Sequence, residues 1–230
     1  MEKIAVSCFL PKEVRVNEAL KTLRTNLMFS GASVRAIGIT SFGAGEGKST
    51  ISLQTAMAFA QAGKRVLLVD ADLRKSVLAS RLRLRSKVEG LSHYLSGLAN
   101  VSELLHETDM PGLYIMFAGV RVLNSTELLG NENFARLIPA LKEVFDYIIV
   151  DTAPLGQVID CAVMAPHLDG VVMLIDATRN SNKLERRVKN QIEKSGGKIL
   201  GVVLNQVDTS LERGYYGKYY DNYAYYQEDK

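Results

Sequence analysis

Ser41-Phe42-Gly43-Ala44-Gly45-Glu46-Gly47-Lys48-Ser49-Thr50 stands between an apolar run, Val34 to Thr40, and an amphipathic stretch from about Lys48 to Ala62. A strand, a glycine-rich turn and a helix in that order make a phosphate cradle. Gly43, Gly45 and Gly47 let the backbone curl with its N–H groups inward, Glu46 lies within the curl, and the helix N-terminus adds its dipole. Lys48 supplies a point charge for the β- and γ-phosphates of a nucleotide, and the Ser49 hydroxyl can ligate Mg²⁺. Thr50 is placed to hydrogen-bond the α-phosphate. The strict pattern has glycine where Phe42 stands, so this is a variant P-loop.

Working outward, apolar runs alternate with amphipathic stretches. Arg65 to Asp70, Leu113 to Ala118, Tyr147 to Asp151, Gly170 to Asp176 and Ile199 to Asn205 read as further strands. Helices are expected at about Asn17 to Ser30, Asn131 to Val144 and Lys183 to Ser195. Repeated strand–helix–strand units predict an α/β fold, a mostly parallel sheet covered by helices on both faces. Right-handed crossovers place the strand ends along one edge of that sheet. RVLLVDADLR ends a strand at Asp70 and puts Asp72 two residues on; YIIVDTAP ends another at Asp151. Three acids converging beside a P-loop would repel one another without a cation, so they point to a Mg²⁺–nucleotide site. GVVLNQVD ends the last strand at Asn205, where P-loop ATPases often use an asparagine for the adenine base and where a turn residue satisfying its own side chain is the alternative.

The chain has 230 residues, 47% hydrophobic and 23% charged, which suits one soluble globular domain with a sizeable core. A net charge of +3 is too small to make nucleic acid the partner. Cys8 and Cys161 lack metal-ligand spacing and read as reduced thiols of a cytosolic protein. No apolar run approaches the ~18 residues of a membrane span. His93, His106 and His167 read as structural. Arg81, Arg83, Arg85 and Lys87, with Arg74 and Lys75 upstream, form a basic run that reads as a solvated face or as a surface for an acidic segment.

Seven of the ten tyrosines lie between Tyr215 and Tyr226: Tyr215, Tyr216, Tyr219, Tyr220, Tyr223, Tyr225 and Tyr226. Their spacing follows neither a helical nor a strand period, and each ring would need a core and a hydroxyl partner to be buried. The expectation is a domain over 1–209 and a flexible phenol-rich tail over 210–230.

P-loop, VDADLR, IIVDTAP and a Tyr-rich C-terminus together resemble the bacterial tyrosine kinases of capsule and exopolysaccharide synthesis, relatives of the MinD/ParA-type ATPases. The resemblance covers nearly the whole chain. It implies ATP and Mg²⁺, autophosphorylation of the tail tyrosines in trans, and homo-oligomeric rings in which a tail enters the neighbour's site. It further implies a cytoplasmic protein recruited to the inner face of the membrane by a membrane-spanning modulator of the polysaccharide co-polymerase type, and a cognate phosphotyrosine phosphatase. The family's oligomerisation helix has a Glu-x-x-Arg-x-x-Arg pattern; here it reads Glu18-x-x-Lys21-x-x-Arg24 within residues 17–30. The stretch Val122 to Leu129 resembles one that usually carries prolines, absent here.

A tyrosine hydroxyl has a pKa near ~10, so its transfer chemistry rests on position and charge stabilisation. Lys48 is expected to stabilise the transferring phosphate, Asp70 to accept or orient the phenolic proton, and Ser49, Asp72 and Asp151 to serve Mg²⁺. Two other functions share some of these features. A switch ATPase of the MinD/ParA kind commonly has lysine at the position of Gly43 and has no reason for a phenol-rich tail. A base-stacking module needs a cationic groove, yet from Ser210 onward acids outnumber bases.

Overall fold

Six residues buried without alternation, Ala36–Ser41, form strand β1 at the centre of a sheet covered on both sides. The computed structural model describes residues 3–84, 88–179 and 182–207. Arg85, Lys87, the seven tail tyrosines and the expected boundary at 209/210 lie outside them. The other strands are β2 (Val66–Asp70), β3 (His106–Glu107), β4 (Leu113–Met116), β5 (Tyr147–Asp151), β6 (Gly170–Asp176) and β7 (Ile199–Asn205). Their spatial order is β3-β4-β2-β5-β1-β6-β7. All neighbours run parallel except the two-residue β3, which pairs antiparallel with β4 at the edge.

The helices are α1 (Val14–Phe29), α2 (Lys48–Gln61), α3 (Leu78–Arg81), α4 (Leu91–Leu95), α5 (Ser125–Leu129), α6 (Glu132–Lys142), α7 (Asp160–Met164) and α8 (Asn182–Lys194). One core joins Leu27, Leu53, Met57, Phe59 and Leu78 of the first three helices to Ile37, Ile39 and Leu68 of the sheet. A second joins Leu91, Leu129, Leu137, Leu141, Cys161, Val188 and Ile192 of the other five to Leu67, Val69 and Val150. The alternating residues of β2 thus feed opposite cores, as the pleat requires. The sheet is covered on both faces as expected.

Helix α1 starts three residues before the expected Asn17, whose side chain donates to the Pro11 carbonyl at 2.9 Å. Its Glu18 and Lys21 form an exposed pair at 2.7 Å, and Arg24 donates to the Ala58 carbonyl of α2 at 3.1 Å. Leu27 is buried, but Phe29 at its end is 82% exposed. Cys8 is exposed and Cys161 buried, both as free thiols. No described helix is long and apolar enough to cross a membrane.

Candidate active site

The ends of β1, β2 and β5 meet because the three strands are adjacent and in register. Ile39 sits opposite Asp151, and Asp151 opposite Asp70. Neighbouring strands lie ~4.8 Å apart, which forces the two carboxylates together. Both are buried, at 1% and 2% exposure. The Ser52 hydroxyl of α2 donates to Asp151 at 3.1 Å. Burial pushes Asp151 up to about 6, held back by the Ser49 hydroxyl, the Lys48 ammonium and Ser52. Asp70 is raised well above the usual carboxylate range, by burial first and by Asp151 second. Two such carboxylates side by side each make the other harder to ionise.

Asp70 has two partners on its own turn. The exposed Ser76 hydroxyl makes a short hydrogen bond to Oδ2, and the Asp72 N–H donates to Oδ1 at 3.2 Å. Nothing in the sequence singled out Ser76, which links a buried acid to the protein surface. Asp72 turns one oxygen to its own loop, where Oδ1 accepts the Arg74 and Lys75 N–H groups at 3.3 and 2.9 Å.

The loop between β1 and α2 is shaped by its own side chains. Glu46 is buried, and its Oε1 accepts the Gly43 N–H at 2.7 Å. Burial raises its pKa, opposed by that N–H, by Arg179 and by Lys48. Ser41 Oγ donates to the Gly43 carbonyl at 2.8 Å. Gly47 has φ +99°, which favours glycine, and a Cβ there would lie 2.3 Å from Asn205 Nδ2 and push that amide aside. Asn205 itself donates to the Glu46 carbonyl at 2.9 Å. Its amide is expected at the base, yet here it braces the loop. Lys48, at the first position of α2, is buried. Thr50, expected to meet the α-phosphate, accepts Arg81 Nη1 at 2.7 Å.

Phe42, the departure from the strict loop pattern, packs against Gly156. A Cβ on Gly156 would stand 2.3 Å from the Phe42 carbonyl oxygen and 2.4 and 2.6 Å from its ring. Gly156→Ala is therefore expected to overpack this contact, at a cost of about 1–3 kcal/mol in stability, and by displacing the start of the loop to weaken nucleotide binding. Titration with a fluorescent ADP analogue checks it, and unchanged affinity would show that the contact does not govern the loop.

Arg74 does not belong to an exposed basic run. Its Nε and Nη2 donate to Asp160 Oδ2 and Oδ1 at 2.9 and 3.1 Å, and Asp160 has no exposed side-chain surface. Ser125 and Thr126 donate to the same carboxylate at 2.9 and 2.6 Å, and Arg74 Nη2 reaches Thr126 at 2.8 Å. A carboxylate needs such partners once buried. The proline-free stretch Val122 to Leu129 thus supplies two hydroxyls to a network that ties the loop after β2 to α5 and α7. Asp160 was missed because a lone acid beyond a strand end carries no spacing signal.

The loop, the adjacent carboxylates and the sheet order can be set beside known proteins. The family described as AAA domain matches residues 34–199. Tyrosine-protein kinase CpsD of Streptococcus agalactiae is 41% identical over 206 residues, 89% of this chain and 90% of that one. Among solved structures, the chimerical protein CapA2B2 is similar with a TM-score of 0.82 and 32% identity, over 90% of this chain and 93% of that chain. The cell division ATPase MinD of Pyrococcus furiosus is similar in fold, with a TM-score of 0.64 and 26% identity over 76% of this chain and 74% of that one. The nucleotide-binding loop and the mostly parallel sheet are those of a MinD-like P-loop NTPase. With that fold and this identity over most of its length, the chain belongs to the bacterial tyrosine-protein kinases of capsule and exopolysaccharide synthesis.

Proposed function

We propose that this tyrosine kinase uses ATP and Mg²⁺ and phosphorylates, in trans, the tyrosines between Tyr215 and Tyr226 of a second copy, and so regulates capsule or exopolysaccharide synthesis. The observation that carries the reading is the adjacency of Asp70 and Asp151 beside Lys48, in a chain with seven closely spaced phenols. A MinD-like switch needs the first and has no use for the second.

The residues fit Mg²⁺. Among the described residues no three His, Cys, Asp or Glu side chains form a metal-holding group. Mg²⁺ does not need one: it takes one or two carboxylates and the substrate's phosphates and keeps several waters. Two neighbouring buried acids with raised pKa values mark a place short of positive charge. Ser49, Asp72 and Asp151 would hold the ion, which when bound offsets negative charge on the phosphates.

The chain's own groups do the rest. Gly43, Gly45, Glu46, Gly47, Lys48, Ser49 and Thr50 enclose the phosphates, and Lys48 stabilises charge gathering on the transferring phosphoryl group. Asp70, at the end of β2 beside Asp151, accepts or orients the phenolic proton. The phenol oxygen bonds to the γ-phosphorus, the bond to the β–γ bridging oxygen breaks, and ADP leaves. Each phosphate adds about −1.5 to −2 charges to the acceptor segment.

The same reading gives the protein a membrane-spanning modulator, a ring of copies joined through Glu18, Lys21 and Arg24 and through tail docking, and a cytoplasmic place at the membrane. An opposing phosphotyrosine phosphatase completes it. The test is incubation with Mg²⁺–ATP and the modulator's cytoplasmic peptide, followed by phosphosite mapping. Label confined to Tyr215–Tyr226 is expected. When a tail-deleted chain is mixed with a full-length Lys48→Met chain, label should fall on the latter. Phosphate release without label would replace this reading with the switch ATPase.

A further inference from the structure

Arg179, three residues beyond the end of β6, lies over the phosphate loop. Its Nε sits 3.3 Å from Asp176 Oδ2, and its Nη1 sits 3.9 Å from Glu46 Oε1 and 3.4 Å from the Ala44 carbonyl. A Cβ added to Gly43 would stand 3.3 Å from Nη1, and one added to Gly45 4.0 Å from Nη2, so the guanidinium spans the two glycines. Asp176 is itself anchored, accepting the Thr178 N–H at 2.9 Å and its hydroxyl at 2.6 Å. This end of the loop otherwise presents two buried carboxylates, Glu46 and Asp176, to a place that must take polyanionic phosphates.

We propose that Arg179 is a positioning residue for the phosphate loop, acting through Glu46: its charge offsets a buried carboxylate that braces Gly43 but would otherwise repel the nucleotide. The inference rests on the nucleotide reading of the loop. Glu46 has a geometric duty, to hold the Gly43 N–H, and an electrostatic cost, a negative charge beside phosphate. Gln at position 46 could perform the duty without the cost, because its Oε1 still accepts from Gly43. Arg179 is the group that makes the carboxylate tolerable, and its anchor on Asp176 fixes the guanidinium where both Ala44 and Glu46 are in reach. An interaction that works through one charge vanishes when that charge is removed, which distinguishes it from mere packing.

The experiment is a double-mutant cycle read by titration of a fluorescent ADP analogue with Mg²⁺. Arg179→Ala is expected to weaken binding about tenfold, within the coupling range of contacting charged groups. Arg179→Lys should recover part of it, since lysine keeps the charge and loses the fork. In a Glu46→Gln background, Arg179→Ala should cost under about threefold, because there is no carboxylate left to offset. Full-size loss in that background, or no loss in Arg179→Ala alone, would overturn the proposal. A wild-type chain that does not bind the analogue would instead overturn the nucleotide reading. Arg179 is 55% exposed at its side chain, so its variants should keep the fold, checked by circular dichroism.

Discussion

Lys48→Met is expected to slow phosphoryl transfer about 10³-fold, in the range seen when one preorganised charge at a transferring phosphate is removed. Lys48 is 8% exposed at the first turn of α2, where the N-terminal end of the helix dipole favours negative charge. Methionine keeps most of the apolar stem and its burial, so the loss should fall on the chemical step and not on folding. A second consequence follows at Asp151. Lys48 is one of the groups holding its pKa down to about 6, so its removal moves that carboxylate further up. The measurement is a single-turnover rate at saturating ATP, beside a urea melt. A rate within tenfold of wild type would remove Lys48 from the chemistry; a collapsed melt would make it structural.

Asp160→Asn is expected to destabilise the fold by about 3 kcal/mol, the lower end of what breaking a buried ion pair costs, because Arg74 retains partial solvent access. The side chains of Arg74 and Asp160 are 34% and 0% exposed. For a chain of this size that is roughly 6–12 °C in melting temperature. The substitution removes the charge that Arg74, Ser125 and Thr126 were arranged around. Replacing Arg74 as well, as Arg74→Met/Asp160→Asn, should cost less than the sum of the single changes. The sign of the pH effect is fixed by the same contacts. Burial raises the Asp160 pKa, but Arg74, Thr126 and Ser125 outweigh it and leave it below the ordinary value. An acid depressed in the folded state stabilises above its unfolded pKa of ~3.9 and loses that contribution as pH falls through the folded value. Asp160→Asn should therefore lose stability at neutral pH and show a shallower acid decline below about pH 4. Equal stability of the two proteins at pH 7 would remove the network from the account.

How much of this was legible in the sequence depended on whether a signal was local. Parallel strands here are continuous apolar runs, whether buried like β5 and β6 or at the edge like β7, so those three fall on their expected residues, and β1, β2 and β4 differ by one or two at their ends. β3 was not readable, since two residues show no period and its pairing depends on β4 across the chain. The site divides in the same way. Lys48 and Ser49 announced themselves by closing the glycine-rich loop, and Asp70 and Asp151 by ending apolar strands. Glu46 and Asn205 were named for the nucleotide, but their contacts with Gly43 and with Glu46's carbonyl depend on where the loop folds back. Arg74 and Arg81 looked alike in a basic run; only tertiary structure sends one to Asp160 and the other to Thr50. Arg179, Ser76 and Gly156 carried no pattern at all: Arg179 reaches a loop far away in sequence, Gly156 acts through the absence of a side chain, and Ser76 meets Asp70 only because the turn after β2 folds back.

The placement of β5 between β2 and β1 has a consequence for synthesis. The two strands that flank it are made first, yet neither touches the other; the gap between them is filled only by residues 147–151. A nascent chain emerging at about 5–20 residues per second holds an incomplete sheet until that strand is free of the ribosome. Before then Asp70 has no Asp151 beside it, and Ser52 has no carboxylate to meet. The growing chain consequently lacks the adjacent carboxylates of the candidate site until β5 slots in between β2 and β1.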